Sequence, residues 1–155
     1  MEKVTYQEET WQTFWPEAER LTKMHWKEVC QDPSRMPLGL DVASYSALFA
    51  AGIMQIVTAR ETFAGTLVGY QISIFRPHMH YCSVLCAFED TYFLDPAYRK
   101  GFVGVKLISE SLRLLKARGV KKVFFQSIES KPTHRLWQWL GFIKTHVTYA
   151  KWIGD

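Results

Sequence analysis

Between Phe93 and Ile108 the chain reads FLDPAYRKGFVGVKLI, and this stretch holds the residues best suited to chemistry. A run of strand character closes at Asp95-Pro96, a turn carries Arg99, Lys100, Gly101, Phe102 and Gly104, and a helical apolar pattern opens at Val103. The first N–H groups of a helix lack intrahelical acceptors and stand at the positive end of its dipole, so such a turn makes an anion site. Gly101 and Gly104 let an anion approach the backbone closely, and the Arg99 guanidinium is a planar fork that suits phosphate oxygens. The glycine spacing excludes a dinucleotide fingerprint, and the missing Lys-Ser/Thr ending excludes a nucleoside-triphosphate loop. Two other groupings bring titratable side chains together: the adjacent carboxyls Glu89 and Asp90, and His25 with Glu28, one helical turn apart on a common face. Each has a plainer reading as solvated or structural side chains.

The elements that must hold these residues follow from periodicity and breakers. Phe14, Leu21, Met24 and Val29 mark a helix over Thr13–Val29, stopped by Asp32-Pro33 and Met36-Pro37. Asp41 caps a second helix through Ala51, closed by Gly52. Met54–Ala59 is a first strand, and Val68, Tyr70, Ile72 and Ile74 alternate beyond a turn at Gly65, as in a hairpin whose second arm ends at Pro77. Cys82–Leu94 is a third strand, long enough to need a bulge or bend, with Glu89 and Asp90 inside it. Val103–Ala117 is a helix ended by Gly119, and the apolar run Val123–Ile128 suits a strand buried on both faces and parallel to Cys82–Leu94. Thr133–Leu140 is a short helix, and Thr145–Trp152 a last strand. The polar start, residues 1–10, carries no element in this reading.

With 155 residues, 48% of them hydrophobic, one domain spanning 1–155 is expected. No apolar run is long enough to span a bilayer and Met1–Thr10 is too polar and acidic for a signal peptide, so the expectation is a soluble, cytoplasmic protein without membrane partners. Cys30, Cys82 and Cys86 are odd in number and lack metal-ligand spacing, which argues against a disulfide framework and a zinc site and for buried thiols. The net charge is +4, but Arg99–Lys122 alone holds eight basic residues against Glu110. One basic segment on a mildly acidic body suggests a localised anionic ligand, or a solvated helix face.

The turn resembles the acyl-CoA pyrophosphate loop of the GNAT N-acetyltransferases, Arg/Gln-x-x-Gly-x-Gly/Ala. Arg99 takes its first place and Gly104 its last, while Phe102 stands where the family has a glycine. Leu136-Trp-Gln-Trp-Leu-Gly-Phe142 is similar to that family's Leu-Tyr-x-x-x-Gly-Phe signature, and the element order matches. His25-Trp26-x-Glu28, His80-Tyr81, Asp90-x-Tyr92-x-Leu94 and Tyr149-x-Lys151 resemble a branch often encoded by tailed phages, which would place the protein in a host cytoplasm.

The resemblance implies an α/β (α+β) fold: a mixed, mostly antiparallel sheet, flanked by helices, whose central parallel pair splays apart. It implies acetyl-CoA as co-substrate, held by the backbone of Tyr92, Phe93 and Leu94, by the loop Arg99, Lys100, Gly101, Phe102, Val103, Gly104 and Val105, and near Ser130. It further implies transfer of acetyl to a primary amine of a small molecule, protein or modified nucleobase, with a carboxylate accepting the amine's proton. Asp90 is slightly preferred over Glu89 because it shares parity with Tyr92 and Leu94. Trp137 stands where the family has its acidic Tyr, so Tyr92 or Tyr149 would protonate the thiolate, or it leaves unassisted. His25, Glu28, His80 and Tyr81 would contact the acceptor. A homodimer is compatible with the sequence. The rival reading, favoured by Phe102 and Trp137, is an inactive protein of the same fold that binds host protein or nucleic acid.

Overall fold

The computed structural model describes residues 3–154. Five strands, β1 (Val4–Glu8), β2 (Met54–Glu61), β3 (Leu67–His78), β4 (Tyr81–Leu94) and β5 (Lys122–Phe124), form one sheet in that order. All neighbours are antiparallel except β4 and β5. Helices α1 (Trp11–Val29) and α2 (Val42–Ala50) cover one face and α3 (Val103–Ala117) the other, while α4 (His134–Trp139) follows β5. This is the mixed sheet flanked by helices that the sequence resemblance implies.

Local chemistry sets these elements. The Thr10 hydroxyl accepts from the Thr13 N–H at 3.2 Å and opens α1, whose Trp11, Phe14, Ala18 and Leu21 are buried along one stripe. Asp41 caps α2 through the Ser44 N–H at 3.0 Å. On β2 the two-residue period sends Met54 and Ile56 to the α1 face and Val57 and Ala59 to the α3 face. A polar thread runs beneath α3: Gln55 donates to Ser111 Oγ at 3.0 Å, the Ser111 hydroxyl to Gln71 Oε1 at 2.5 Å, and Gln71 to Ser73 Oγ at 2.7 Å. All four side chains are fully buried, and mutual hydrogen bonding is what makes their burial tolerable.

Several expectations are corrected. β1 forms within the polar start, because an edge strand with Val4 as its sole fully buried apolar residue gives a weak pattern. β3 continues through Pro77 to His78, where a register shift accommodates the missing N–H. β5 spans only Lys122–Phe124, its remainder turning out of the sheet. Residues 145–152 form no strand: they pair with no neighbour, and β propensity without a ladder does not make a sheet. The parallel pair consequently lies at the sheet's edge rather than its centre among the described strands. Of the thiols, Cys86 alone is buried, Cys30 being half-buried and Cys82 exposed.

Candidate active site

β4 and β5 pair only at Cys86–Lys122, Ala87–Val123 and Phe88–Phe124, and beyond these residues the strands part. A cleft of about 590 Å³ opens there, the size of a small-molecule site. Its walls are residues 89–94 of β4, His25 and Glu28 from the last turns of α1, Gly101, Gly104 and Val105 at the start of α3, and parts of the segment from Gln126 to Trp137. Where the ladder stops, a side chain replaces it: Glu89 Oε2 accepts the Gln126 N–H at 2.6 Å.

A β-bulge fixes which carboxyls face this space. Ile72 pairs with Thr91 and Ser73 with Glu89, so Asp90 is the extra residue and strand parity no longer separates it from its neighbours. Asp90 and Thr91 therefore both reach the α1–α2 face: Asp90 accepts from the Tyr45 hydroxyl at 2.7 Å, and Thr91 Oγ1 lies 3.1 Å from His25 Nδ1. The parity argument for Asp90 over Glu89 thus fails, and both line the cleft.

The surroundings set the protonation of these groups. Burial pushes the Glu89 carboxyl up to about 7, with Asp90 adding to the shift and the Gln126 N–H opposing it. Desolvation raises Asp90 as well, against its hydrogen bond from Tyr45. Burial lowers the His25 imidazole, so it is neutral near pH 7. Burial pushes the Tyr92 phenol up to about 12, which keeps it protonated.

On another wall of the cleft, α3 begins at Val103, its N-cap residue Phe102 making no side-chain capping bond and its first turn holding no acid. Its leading N–H groups are therefore available to an anion. Gly104 faces Tyr92: a Cβ there would come within 2.5 Å of the phenol oxygen. Arg99 donates from Nε to the Leu94 carbonyl at 2.8 Å, and one terminal nitrogen reaches both Glu28 oxygens at 2.9 Å. Its guanidinium carbon stands 5.3 Å from the centre of the Phe93 ring.

Of the residues singled out in the sequence, the fold gathers His25, Glu28, Glu89, Asp90, Tyr92, Phe93, Leu94, Arg99, Gly101, Gly104 and Val105 around one cleft. It leaves others outside. Tyr149 is 91% exposed and is not part of the cleft wall, and His80 and Tyr81 lie at the β3–β4 turn, at the far end of β4. Lys100, Val103 and Ser130 are not in the wall either, and Phe102 is 64% exposed with its ring 6.3 Å from Trp139. Trp137 is buried and gives its indole N–H to the Gln126 carbonyl at 2.7 Å, so it has no proton to offer the cleft. Sequence reasoning missed Thr91, Gln126 and Lys131, which line the site, and Tyr45, which reaches it through Asp90. None has a motif; only the bulge and the parting strands bring them in.

Solved structures of similar fold were found, whereas no curated protein matches the chain. An aminoglycoside acetyltransferase, HMB0005, from an uncultured soil metagenomic sample superposes with a TM-score of 0.76 at 15% identity, over 99% of this chain and 100% of that one. A glucosamine-6-phosphate N-acetyltransferase from Arabidopsis thaliana gives 0.74 at 11% identity, over 99% and 100%. A predicted acetyltransferase from Clostridium acetobutylicum, solved with acetyl-CoA, gives 0.71 at 10% identity, over 96% and 95%. At these identities the likeness is one of fold. The sequence profile described as "Acetyltransferase (GNAT) family" matches residues 8–142.

Proposed function

Since the chain belongs to the acetyltransferase (GNAT) family, whose members use acetyl-CoA, we propose that it transfers acetyl from acetyl-CoA to a primary amine in the cleft between β4 and β5. One observation carries the reading: the carboxyl of Glu89 and the uncapped start of α3 beside Arg99 border the same cleft, opened by the parting of two parallel strands. The residues fit such a co-substrate. Arg99 and the N–H groups of Gly104 and Val105 suit its phosphates. The β5-facing backbone of Tyr92–Leu94, which no strand pairs, suits the amide groups of its arm. When bound, acetyl-CoA supplies an acetyl thioester open to attack by an amine.

The chain's own groups then manage the protons. An ammonium cannot attack, and Glu89, with a value of about 7, accepts a proton far better than an ordinary carboxylate while being about half ionised at neutral pH. Asp90 stands beside it as a second carboxyl group in the same wall. Tyr92, held protonated in the wall, donates to the departing sulfur in place of the tyrosine that Trp137 replaces. His25 and Glu28 face the acceptor. Its identity within the amines is open: two of the similar structures are named for amino-sugar substrates, and the carboxylates here suit any cationic amine.

Calorimetry with acetyl-CoA, followed by mass spectrometry of acetyl transfer to a panel of amines, tests the reading. Binding in the micromolar range with transfer to at least one amine is expected. Stabilisation by DNA alone, with steep salt dependence and no response to acetyl-CoA, would overturn it in favour of a non-catalytic binding protein.

A further inference from the structure

Arg99 has two claimants. It lines the cleft beside the start of α3, where the donor's phosphates are proposed to bind, yet its terminal nitrogen is held by both oxygens of Glu28. The pair joins the last turn of α1 to the loop before α3. Glu28 is poorly placed without it, because the C-terminal end of a helix carries partial negative charge. His25, one helical turn away, has its imidazole lowered by burial and so gives it little countercharge. Among the described residues of the wall, Lys131 is the other lysine or arginine besides Arg99.

We propose that Glu28 competes with the donor's phosphate for Arg99, and that the carboxylate released when phosphate wins becomes the counter-ion of a cationic amine acceptor. The inference rests on the acetyl-CoA reading above and adds a specificity determinant to it. The doubly charged pyrophosphate draws Arg99 away from Glu28 and leaves a bare carboxylate on the cleft wall, one turn from His25. Any cation that pairs with Glu28 conversely releases Arg99 for phosphate. By linkage the two effects are equal, so an anionic donor and a cationic acceptor strengthen each other's binding, while a neutral or anionic acceptor gains nothing. No backbone rearrangement is needed, since Arg99 keeps its Nε bond to the Leu94 carbonyl as a pivot.

Calorimetric titration of CoA and of pantetheine, which lacks the phosphates, into wild type, Glu28→Gln, Arg99→Ala and the double variant tests the competition. Arg99 is 42% exposed at its side chain, so the pair is a partly solvated one. Such pairs are worth ~0.2–1 kcal/mol, and Glu28→Gln should tighten CoA by roughly 1.4- to 5-fold while leaving pantetheine unchanged. In the Arg99→Ala background the Glu28 substitution should have no effect. Adding hexane-1,6-diamine should tighten CoA for wild type beyond any change seen in Glu28→Gln at equal ionic strength. Glu28→Ala reads in the same direction should the glutamine variant melt early. Equal CoA affinity in wild type and both Glu28 variants overturns the competition, and an equal diamine effect in wild type and variant overturns the counter-ion role. Either result leaves the acetyl-CoA reading standing. Failure of wild type to bind CoA at all overturns that reading and this inference with it.

Discussion

At the scale of single residues, Glu89 combines a structural and a chemical task that one substitution separates. Glutamine keeps an oxygen for the Gln126 N–H but cannot take a proton, so Glu89→Gln should preserve the fold and cut kcat by about 10²–10⁴. The wild-type rate should rise with pH through about 7 as the carboxyl ionises, and the variant's profile should lose that limb. Stability must move oppositely. The folded-state value lies above the ordinary 4.5, so between pH 4.5 and 7 the folded chain holds more proton than the unfolded one and stability falls as pH rises. Relative to wild type, Glu89→Gln should gain about 1–3 kcal/mol at pH 8 and nothing at pH 4.5, measured by denaturant melts. A variant destabilised at pH 8 would show that the charge itself holds the strands. The sequence presented Glu89 and Asp90 as a pair and strand parity favoured Asp90, a ranking that the bulge at Asp90 removes, since the burial of both depends on that bulge and on Gln126 and Tyr45 from other segments.

At the scale of elements, the contacts between α3, β4 and α4 shape the cleft. Alanine at Gly104 would place its Cβ 2.5 Å from the Tyr92 oxygen and must push the phenol aside. Gly104→Ala should therefore weaken CoA binding and slow turnover together, and its effect on melting should shrink in a Tyr92→Phe background, where the clashing oxygen is gone. Additive losses in that double variant would place the clash elsewhere. Trp137 works differently, pinning α4 to the chain after β5 through Gln126. Trp137→Phe should cost about 1 kcal/mol of stability yet leave turnover within several-fold, because the lost N–H serves structure rather than the departing sulfur. A thousand-fold fall with normal CoA affinity would show that the Trp137 N–H holds the catalytic geometry and not the fold alone. Helix α3 and its turn were legible from Gly101, Gly104 and the apolar spacing. β5 was read too long, because an apolar run does not record where a partner strand ends.

At the scale of the whole molecule, charge is concentrated but partly neutralised. Within the basic segment Arg99 pairs with Glu28, Arg113 with Glu110 and Arg118 with Glu8, so the excess of positive charge faces outward mainly through lysines. A phosphate-rich donor should still feel this field: CoA affinity should fall several-fold between 50 and 500 mM salt, while pantetheine affinity stays constant. Equal salt dependence for both would remove the electrostatic role of the segment.

The sequence by itself determined the helices, the antiparallel hairpins, the anion-suited turn and the family, because these rest on local periodicity, capping and residues adjacent in the chain. Tertiary structure alone decided that β1 forms an edge, that residues 145–152 join no ladder, and that Asp90 is the bulged residue. It also decided that His80, Tyr81 and Tyr149 stand apart from the cleft while Gln126 and Thr91 border it. The physical reason is common to all of these. Strand pairing and the solvation of a carboxyl are properties of what lies across space, and residues as far apart in the chain as Tyr45, Glu89 and Gln126 acquire their chemistry only when the sheet sets them around one gap.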